Sequence, residues 1–253
     1  MTLLMVLLFF LTAALYASVG FGGGSTYNAL LVLSGADYRI LPAIALTCNI
    51  IVVTGGAITF ARAGQLRLSR LAPFLITSIP AAWAGGRVPV SETLFVGALG
   101  FSLLAAGLHL ALDRKRDVDA DLKPTNPTLA WIVGGAIGFL SGLVGIGGGI
   151  FLAPVLYLIH WGKPKEIAGA CSLFILVNSL SGLAGQLMKL SDTTSLSLIG
   201  DYWMLFPVVF IGGQIGSRLA NFGLSSLTIK RLTAVLILYV SARLLLRWYS
   251  MAF

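Results

Sequence analysis

The stretch GFGGGS, residues 20–25, interrupts a segment of the chain that is otherwise almost entirely apolar. A glycine in a helix interior costs about 1 kcal/mol relative to alanine, so four glycines within five positions predict that a helix ends here. The same pattern returns as GIGGGI at residues 145–150. These two glycine breaks are each flanked by apolar sequence. The predictions of an internal repeat, of the membrane topology and of an anion site all start from them.

The two breaks belong to an internal repeat. When the sequence is shifted by 125 residues, VGFGGG falls on VGIGGG, and 11 of the 36 positions from 19 to 54 are identical. GGR at 85–87 and GSR at 216–218 correspond at a slightly different shift. We predict two related transmembrane halves, residues 1–112 and 129–253. The linker between them, residues 113–128, is polar and carries two prolines and charges of both signs.

The composition places both halves in a membrane. Of 253 residues, 57% are hydrophobic and 10% are charged, whereas soluble domains average roughly 25% charged residues. Apolar runs such as 41–60 and 167–187 have the length of about 20 residues that spans a bilayer. We therefore predict an all-α, multi-pass integral membrane protein of the cell (inner) membrane. The first apolar segment has no preceding Lys or Arg and aligns with the second half, so we interpret it as structure and not as a signal peptide.

The basic residues predict the topology. The net charge of +8 lies mostly in short loops, which favours membrane orientation and anion attraction over nucleic-acid binding. If each broken pair of helices returns to its starting side, 12 of the 17 Lys and Arg residues share one face of the membrane. A single crossing divides them 10 to 7. The positive-inside rule favours the first arrangement, with a cytoplasmic linker.

Each half is then a glycine-broken helical hairpin plus three transmembrane helices, and the two repeats have inverted topology. Inverted repeats with interrupted helices are common among secondary transporters. Whether each broken pair forms a re-entrant hairpin, two short crossings or one broken span stays open at this point.

The helices that begin after the breaks predict an anion site. Irregular backbone at membrane depth is tolerated where it lines a cavity, and a helix start directs N–H groups and the positive end of its dipole into that cavity. Polar side chains in the neighbouring apolar segments add further donors; for each of them, interhelical hydrogen bonding without a ligand is the alternative. The predicted substrate-binding residues are Gly22, Gly23, Gly24, Ser25, Thr47, Cys48, Asn49, Gly147, Gly148, Gly149, Ser172, Asn178 and Ser179.

Other residues at segment ends and on helix faces are interpreted separately. Arg87 and Arg218 end equivalent segments, and because a guanidinium suits an oxyanion we include both among the substrate-binding candidates; snorkelling to headgroups is the alternative. Gly134, Gly138 and Gly142 recur every four residues, which is typical of close helix packing. All nine Asp and Glu residues lie in loops or at segment ends, which disfavours a cation substrate.

Enzyme and metal motifs are missing from the sequence. There is no G-x-S-x-G, no H-E-x-x-H and no cluster of His, Cys or acidic residues with ligand spacing. Cys48 and Cys171 lie in apolar runs and form no disulfide framework. We predict no catalytic residues, no metal site and no cofactor.

Residues 142–187 resemble the hallmark of the TauE/SafE family, also called the sulfite exporter or 4-toluene sulfonate uptake permease family. The resemblance rests on G-x-G-G-G, on Pro154 and Leu156, on Ser172 and on the motif NSLSG. Further similar segments are VGFGGGSTYNALLVLSG at 19–35, GGQIGSRLA at 212–220 and IKRL at 229–232.

The resemblance implies a membrane transporter of sulfite, sulfonates and related sulfur-containing organic anions. The glycine breaks, the missing buried acids and the positive charge independently predict an anion, but not sulfur. We therefore predict a secondary transporter, a permease or exporter, that works by alternating access and holds a small anion at the helix N-termini after the breaks. An anion channel and a non-transporting membrane assembly protein are the alternatives, and a homo-oligomer stays open.

Overall fold

A computed structural model describes residues 3–18, 20–112, 126–190, 198–219 and 226–252 of the chain. The regular secondary structure of these residues is helical, without a strand among them. The helices are α1 (Leu3–Ala17), α2 (Gly24–Leu33), α3 (Leu41–Arg62), α4 (Leu68–Arg87), α5 (Glu92–Leu112), α6 (Pro127–Val144), α7 (Gly149–Leu158), α8 (Pro164–Lys189), α9 (Leu205–Leu219) and α10 (Ser226–Ala252). The linker and its prediction lie largely outside the described residues.

The glycines end helices where the sequence predicts it. Gly23 and Gly148 have φ of +86° and +80° and immediately precede α2 and α7. Gly145 ends α6 with φ of +78°, and its N–H donates to the Ser141 carbonyl at 2.8 Å. These left-handed conformations are easy for glycine and strained for other residues, so the predicted helix breaks are confirmed.

The helices have the length and surface of a membrane protein. Among the described residues, α3, α6 and α8 are long and apolar enough to cross a membrane. Large apolar side chains are exposed along many of the helices, for example Leu7 and Leu11 on α1 and Ile132 on α6. Water would disfavour such a surface, whereas lipid tails match it.

Glycines let α4 and α6 pack backbone to backbone. A Cβ added at any of three glycines of α6 would meet the α4 main chain. The glycines and the α4 residues that they touch are Gly134 with Phe74, Gly138 with Ser78 and Gly142 with Ala82. The prediction that these glycines serve helix packing is therefore confirmed, and the rising numbers on both helices show that α4 and α6 run parallel.

The other close pairs define the remaining helix directions. On α9, Gly212 and Gly216 contact the backbone of Phe10 and Ala14 of α1, so these two helices are also parallel. The α3–α8 and α5–α10 pairs run antiparallel. Their contacts are Phe60 with Gly169 and Gly56 with Ser172 in the first pair, and Gly97 with Trp248 and Gly100 with Leu245 in the second.

The segment from α6 to α7 returns to the end of the molecule where it starts. In the first turns of α6, the Trp131 carbonyl accepts a hydrogen bond from Thr77 Oγ1 of α4 at 2.8 Å. Just after α7, Trp161 Nε1 donates to the Arg70 carbonyl, also of α4, at 3.4 Å. Trp161 is fully buried there. Because the start of α6 and the end of α7 both lie against the first half of α4, these two helices form a hairpin.

Candidate functional site

Asn49 lies between the two glycine breaks. It is fully buried on α3, and its Nδ2 donates to the Ile146 carbonyl of the second break at 3.0 Å. A Cβ added at Gly22 or Gly24 in the first break would meet the Asn49 amide, and one added at Gly147 would stand 2.8 Å from Nδ2. One side chain therefore contacts both breaks, which the sequence separates by more than a hundred residues.

Each break is held by a long helix from the other half of the chain. Asn49 of the first half bonds the second break, and Ser172 of α8 in the second half donates through Oγ to the Gly20 carbonyl at 2.7 Å. Both side chains are fully buried. The carbonyls that the broken helices leave unbonded thus receive side-chain donors, as buried backbone requires.

The start of α2 leaves N–H groups at the first break. The N–H groups of Thr26 and Tyr27 donate to the Gly23 carbonyl at 2.9 and 3.0 Å. Gly24 and Ser25 precede these bonds, so their N–H groups have no carbonyl within the helix. The positive end of the α2 dipole lies at the same place.

The start of α7 repeats this arrangement at the second break. The N–H groups of Phe151 and Leu152 both donate to the Gly148 carbonyl at 3.1 Å. Gly149 and Ile150 precede them and are buried. Two helix N-termini, both near Asn49, therefore offer a partial positive charge without a basic side chain.

Buried polar atoms without partners lie beside the breaks. Asn49 Oδ1 and Ser179 Oγ are buried and lack a hydrogen-bond partner among the described residues. Ser179 Oγ lies 3.1 Å from the position of a Cβ at Gly147. Because buried polar groups are nearly always hydrogen-bonded, these atoms indicate a bound molecule or ordered water. Five further such atoms are Tyr27 Oη, Asn28 Oδ1, Ser141 Oγ, Asn178 Oδ1 and Gln186 Oε1.

The sequence comparisons identify the family. The family model described as "Sulfite exporter TauE/SafE" matches residues 5–244. The chain belongs to the TauE/SafE family. It is 32% identical over 240 residues to the "Probable membrane transporter protein y4hK" of Sinorhizobium fredii, covering 94% of this chain and 95% of that relative.

A second relative matches a shorter part of the chain. It is the "Probable membrane transporter protein YunE" of Bacillus subtilis, 28% identical over 110 residues, which are 43% of this chain and 38% of the relative. No solved structure gives a significant match. The family and the full-length relative make this chain a membrane transporter and indicate transport rather than enzymatic catalysis.

Several predicted site residues of this TauE/SafE transporter bond within their own helices. Thr47 Oγ1 donates to the Ala43 carbonyl at 2.8 Å, and Asn178 Nδ2 donates to the Phe174 carbonyl at 2.8 Å. Cys48 and Ser25 are buried. Among the remaining predictions, the structure brings Gly22, Gly24, Asn49, Gly147 and Ser179 together, and Gly23, Gly148 and Gly149 form the adjoining helix starts.

The two predicted arginines lie elsewhere in the transporter. Arg87 is exposed in the last turn of α4, and its guanidinium lies 4.6 Å from the ring centroid of Trp83, four residues earlier. Arg218 is exposed in the last turn of α9. Both therefore occupy helix ends, whereas the side chains that meet the breaks are buried.

Two residues outside the predicted site bond carbonyls at the end of α6, where the second break begins. Asn28 of α2 donates through Nδ2 to the Val144 and Gly145 carbonyls at 2.8 and 3.1 Å. Gln186 of α8 donates through Nε2 to the Gly142 carbonyl at 2.7 Å. Both are fully buried. Each is an amide in a largely apolar helix, and this is the signal that would have selected them, because polar side chains at membrane depth need partners.

Proposed function

We propose that this protein is a secondary transporter of a small anion, which it holds between the two glycine breaks. The observation that carries the proposal is the pair of buried helix starts after Gly23 and Gly148, whose first N–H groups have no carbonyl within their helices. Asn49 Oδ1 and Ser179 Oγ, buried and unpartnered among the described residues, lie beside them. Two helix N-termini flank these atoms, and helix N-termini bind anions through N–H groups and dipole.

The proposed substrate is sulfite, a sulfonate or a related organosulfur anion. The support is the sulfite-exporter description of the family model together with a site whose charge comes from backbone dipoles. Such a site suits an oxyanion because several N–H groups can bond its oxygens at once. Arg87 and Arg218 then act at the helix ends, attracting the anion toward the protein.

We further propose inverted repeats in the inner membrane and transport by alternating access. The helix directions support this topology: if each broken pair crossed the membrane once, α3 would run parallel to α8 and α5 parallel to α10. Both pairs are antiparallel, as hairpin pairs require. The cross-bonding of each break by the opposite half supports a site shared between two moving bodies.

Sulfite or a sulfonate is expected to stabilise the purified protein against heat. A ligand that binds only the folded state at 100 times its Kd adds about 2.7 kcal/mol, so the melting temperature should keep rising with the logarithm of the anion concentration above Kd. Choline chloride at equal ionic strength controls for salt. If sulfite, thiosulfate, sulfonates and carboxylates all leave the melting curve unchanged, the proposed anion site is wrong.

Proteoliposome uptake separates the transporter from the two alternatives. Saturable uptake that follows an imposed gradient indicates a carrier, whereas flux that rises linearly with concentration indicates a channel. A membrane assembly protein would give no uptake above that of empty liposomes. Alternating access is excluded by channel-like flux even if the anion binds.

An ion pair at one end of the protein is expected to restrict access to the site. Arg67 Nε donates to Glu166 Oε1 at 2.7 Å, which joins the loop after α3 to the start of α8. Glu166→Gln removes the charge, and a partly exposed pair is worth about 0.2–1 kcal/mol. We therefore expect a membrane-permeant thiol reagent to label the buried Cys171 roughly 1.4- to 5-fold faster.

The matched control for this experiment is Asp37→Asn, which also turns a paired carboxylate into an amide. Arg39 pairs with Asp37 at 2.8 Å, but the two residues lie within one loop, so their ion pair does not join two helices. Peptide mass spectrometry distinguishes labelling of Cys171 from labelling of Cys48, because the two cysteines lie on different helices and therefore fall in different peptides. Equal Cys171 labelling rates in Glu166→Gln, Asp37→Asn and the unmodified protein would show that the Arg67–Glu166 pair does not restrict access.

A further inference from the structure

We propose that the transported anion carries a hydrogen-bond donor of its own, and that Asn49 Oδ1 accepts this hydrogen bond. The inference rests on the proposed function and narrows its substrate. It favours a singly protonated oxyanion, or a sulfonate with a nearby hydroxyl or ammonium group, over a fully deprotonated anion that offers only acceptors. Asn49 is thus a specificity-determining residue.

The orientation of the Asn49 amide is fixed by its neighbours. Nδ2 donates to the Ile146 carbonyl at 3.0 Å. Turning the amide over would place Oδ1 against that carbonyl, so that two acceptors would face each other without a proton. Oδ1 is therefore left without a partner and can only accept, while Nδ2 keeps one further N–H beside the bond to Ile146.

The surroundings of Oδ1 determine which donor fits. Oδ1 lies beside Gly22 and Gly24 at the start of α2, where the positive end of the helix dipole disfavours a free cation. A deprotonated oxyanion satisfies the N–H groups of the helix start but places oxygen against Oδ1. A molecule with a negative charge and an adjacent O–H or N–H satisfies both. Ser179 Oγ, near Gly147, can donate to the anionic part or accept from the donor.

Two neighbouring amides share the same bias toward accepting. Asn28 and Gln186 both donate their N–H groups to carbonyls at the end of α6. Their oxygens, like that of Asn49, are buried and have no hydrogen-bond partner in the described part of the chain. Asn178, whose Nδ2 donates to the Phe174 carbonyl, has an unpartnered Oδ1 as well. Four buried amide oxygens thus lack donors, and a molecule that supplies a donor satisfies such an oxygen.

The test compares two sulfonates that match in charge and in number of heavy atoms. 2-Hydroxyethanesulfonate carries a hydroxyl where 1-propanesulfonate carries a methyl. We expect the purified, full-length protein to bind the hydroxyl compound at least about tenfold more tightly, because the methyl compound leaves Oδ1 unpaired. Isothermal titration at one pH and ionic strength measures both affinities.

Two variants test whether Asn49 causes the preference for the sulfonate with a hydroxyl group. Asn49→Ala should bring the ratio of the two affinities close to one while some sulfonate binding remains. Ser241→Ala is the matched control, since it also removes a buried hydrogen bond to a carbonyl, that of Gly100 at 2.9 Å, but between α5 and α10. It should keep the full preference, and its melting temperature calibrates the general cost of such a loss.

The outcomes separate this inference from the proposed function. Equal binding of the two compounds by the unmodified protein overturns the inference, with water satisfying Oδ1, and leaves the anion site standing. If Asn49→Ala still prefers 2-hydroxyethanesulfonate, the inference is also overturned, because another atom then accepts the hydrogen bond of the hydroxyl. If neither sulfonate binds, both the inference and the sulfonate assignment fail. If Asn49→Ala does not fold, the ratio of the two sulfonate affinities in the unmodified protein still tests whether the site prefers a ligand with a hydrogen-bond donor.

Discussion

Gly147→Ala is expected to reduce anion binding and uptake by more than about tenfold, the factor that corresponds to a loss of about 1.4 kcal/mol. The new Cβ would stand 2.8 Å from Asn49 Nδ2, 2.8 Å from Ile175 Cγ2 and 3.1 Å from Ser179 Oγ. It would therefore displace both polar side chains that we place at the anion. Gly147 also has φ of +85°, so alanine adds backbone strain of roughly 1–2 kcal/mol.

Gly64→Ala separates the strain from the contact. Gly64 has a similar left-handed conformation, with φ of +66°, but a Cβ there would have no atom within 4 Å. We expect this variant to lose some thermal stability and to keep normal binding. Size-exclusion chromatography verifies that both variants fold, and titration with 2-hydroxyethanesulfonate compares their affinities. Full affinity in a well-folded Gly147→Ala protein would contradict the placement of the anion beside Gly147.

The glycine pattern predicted much of the fold because its effects are local. A helix cannot continue easily through GFGGG or GIGGG, and Gly23 and Gly148 indeed precede new helices in left-handed conformations. The four-residue spacing of Gly138 and its neighbours likewise predicted a packing face, because residues four apart lie on one side of a helix. Neither prediction required knowledge of which helix is the partner.

The arrangement at the breaks could not be predicted in the same way. Asn49 bonds Ile146, which is 97 residues away, and Ser172 bonds Gly20, which is 152 residues away. The repeat aligns Asn49 with Phe174, so the repeat gives no sign that this asparagine contacts both breaks. Periodicity shows which face a residue occupies, but the partner of that face depends on how the helices assemble.

For the two arginines, the repeat suggested a shared role, whereas for Asn49 it gave no sign of one. Arg87 and Arg218 correspond between the two halves, and the sequence therefore suggested a shared role with the anion. Both are exposed at helix ends in the structure. Equivalent positions in a repeat share their place along a helix, yet an exposed charged end is also what any membrane helix needs at the headgroups.

Gly138→Ala is expected to destabilise the whole protein, lowering its melting temperature by roughly 2–12 °C. A Cβ at this position would meet the backbone of Ser78, with its Cα at 2.6 Å and its carbonyl carbon at 2.8 Å. Backbone cannot rotate away as a side chain can, so α4 and α6 must separate. Overpacking of this kind typically costs about 1–3 kcal/mol, and here it also disturbs the equivalent contacts one turn away at Gly134 and Gly142.

Gly135→Ala on the same helix is the matched control. A Cβ there would meet only Thr77 Cβ, at an ordinary distance of 3.8 Å. Because alanine favours a helix over glycine by about 1 kcal/mol, this variant should melt at the same temperature as the unmodified protein or higher. Thermal melts in one detergent compare the two substitutions. Since both add the same methyl group to α6, equal melting temperatures would show that the close approach of α4 does not hold the protein together, whereas a lower value for Gly138→Ala alone assigns the loss to that contact.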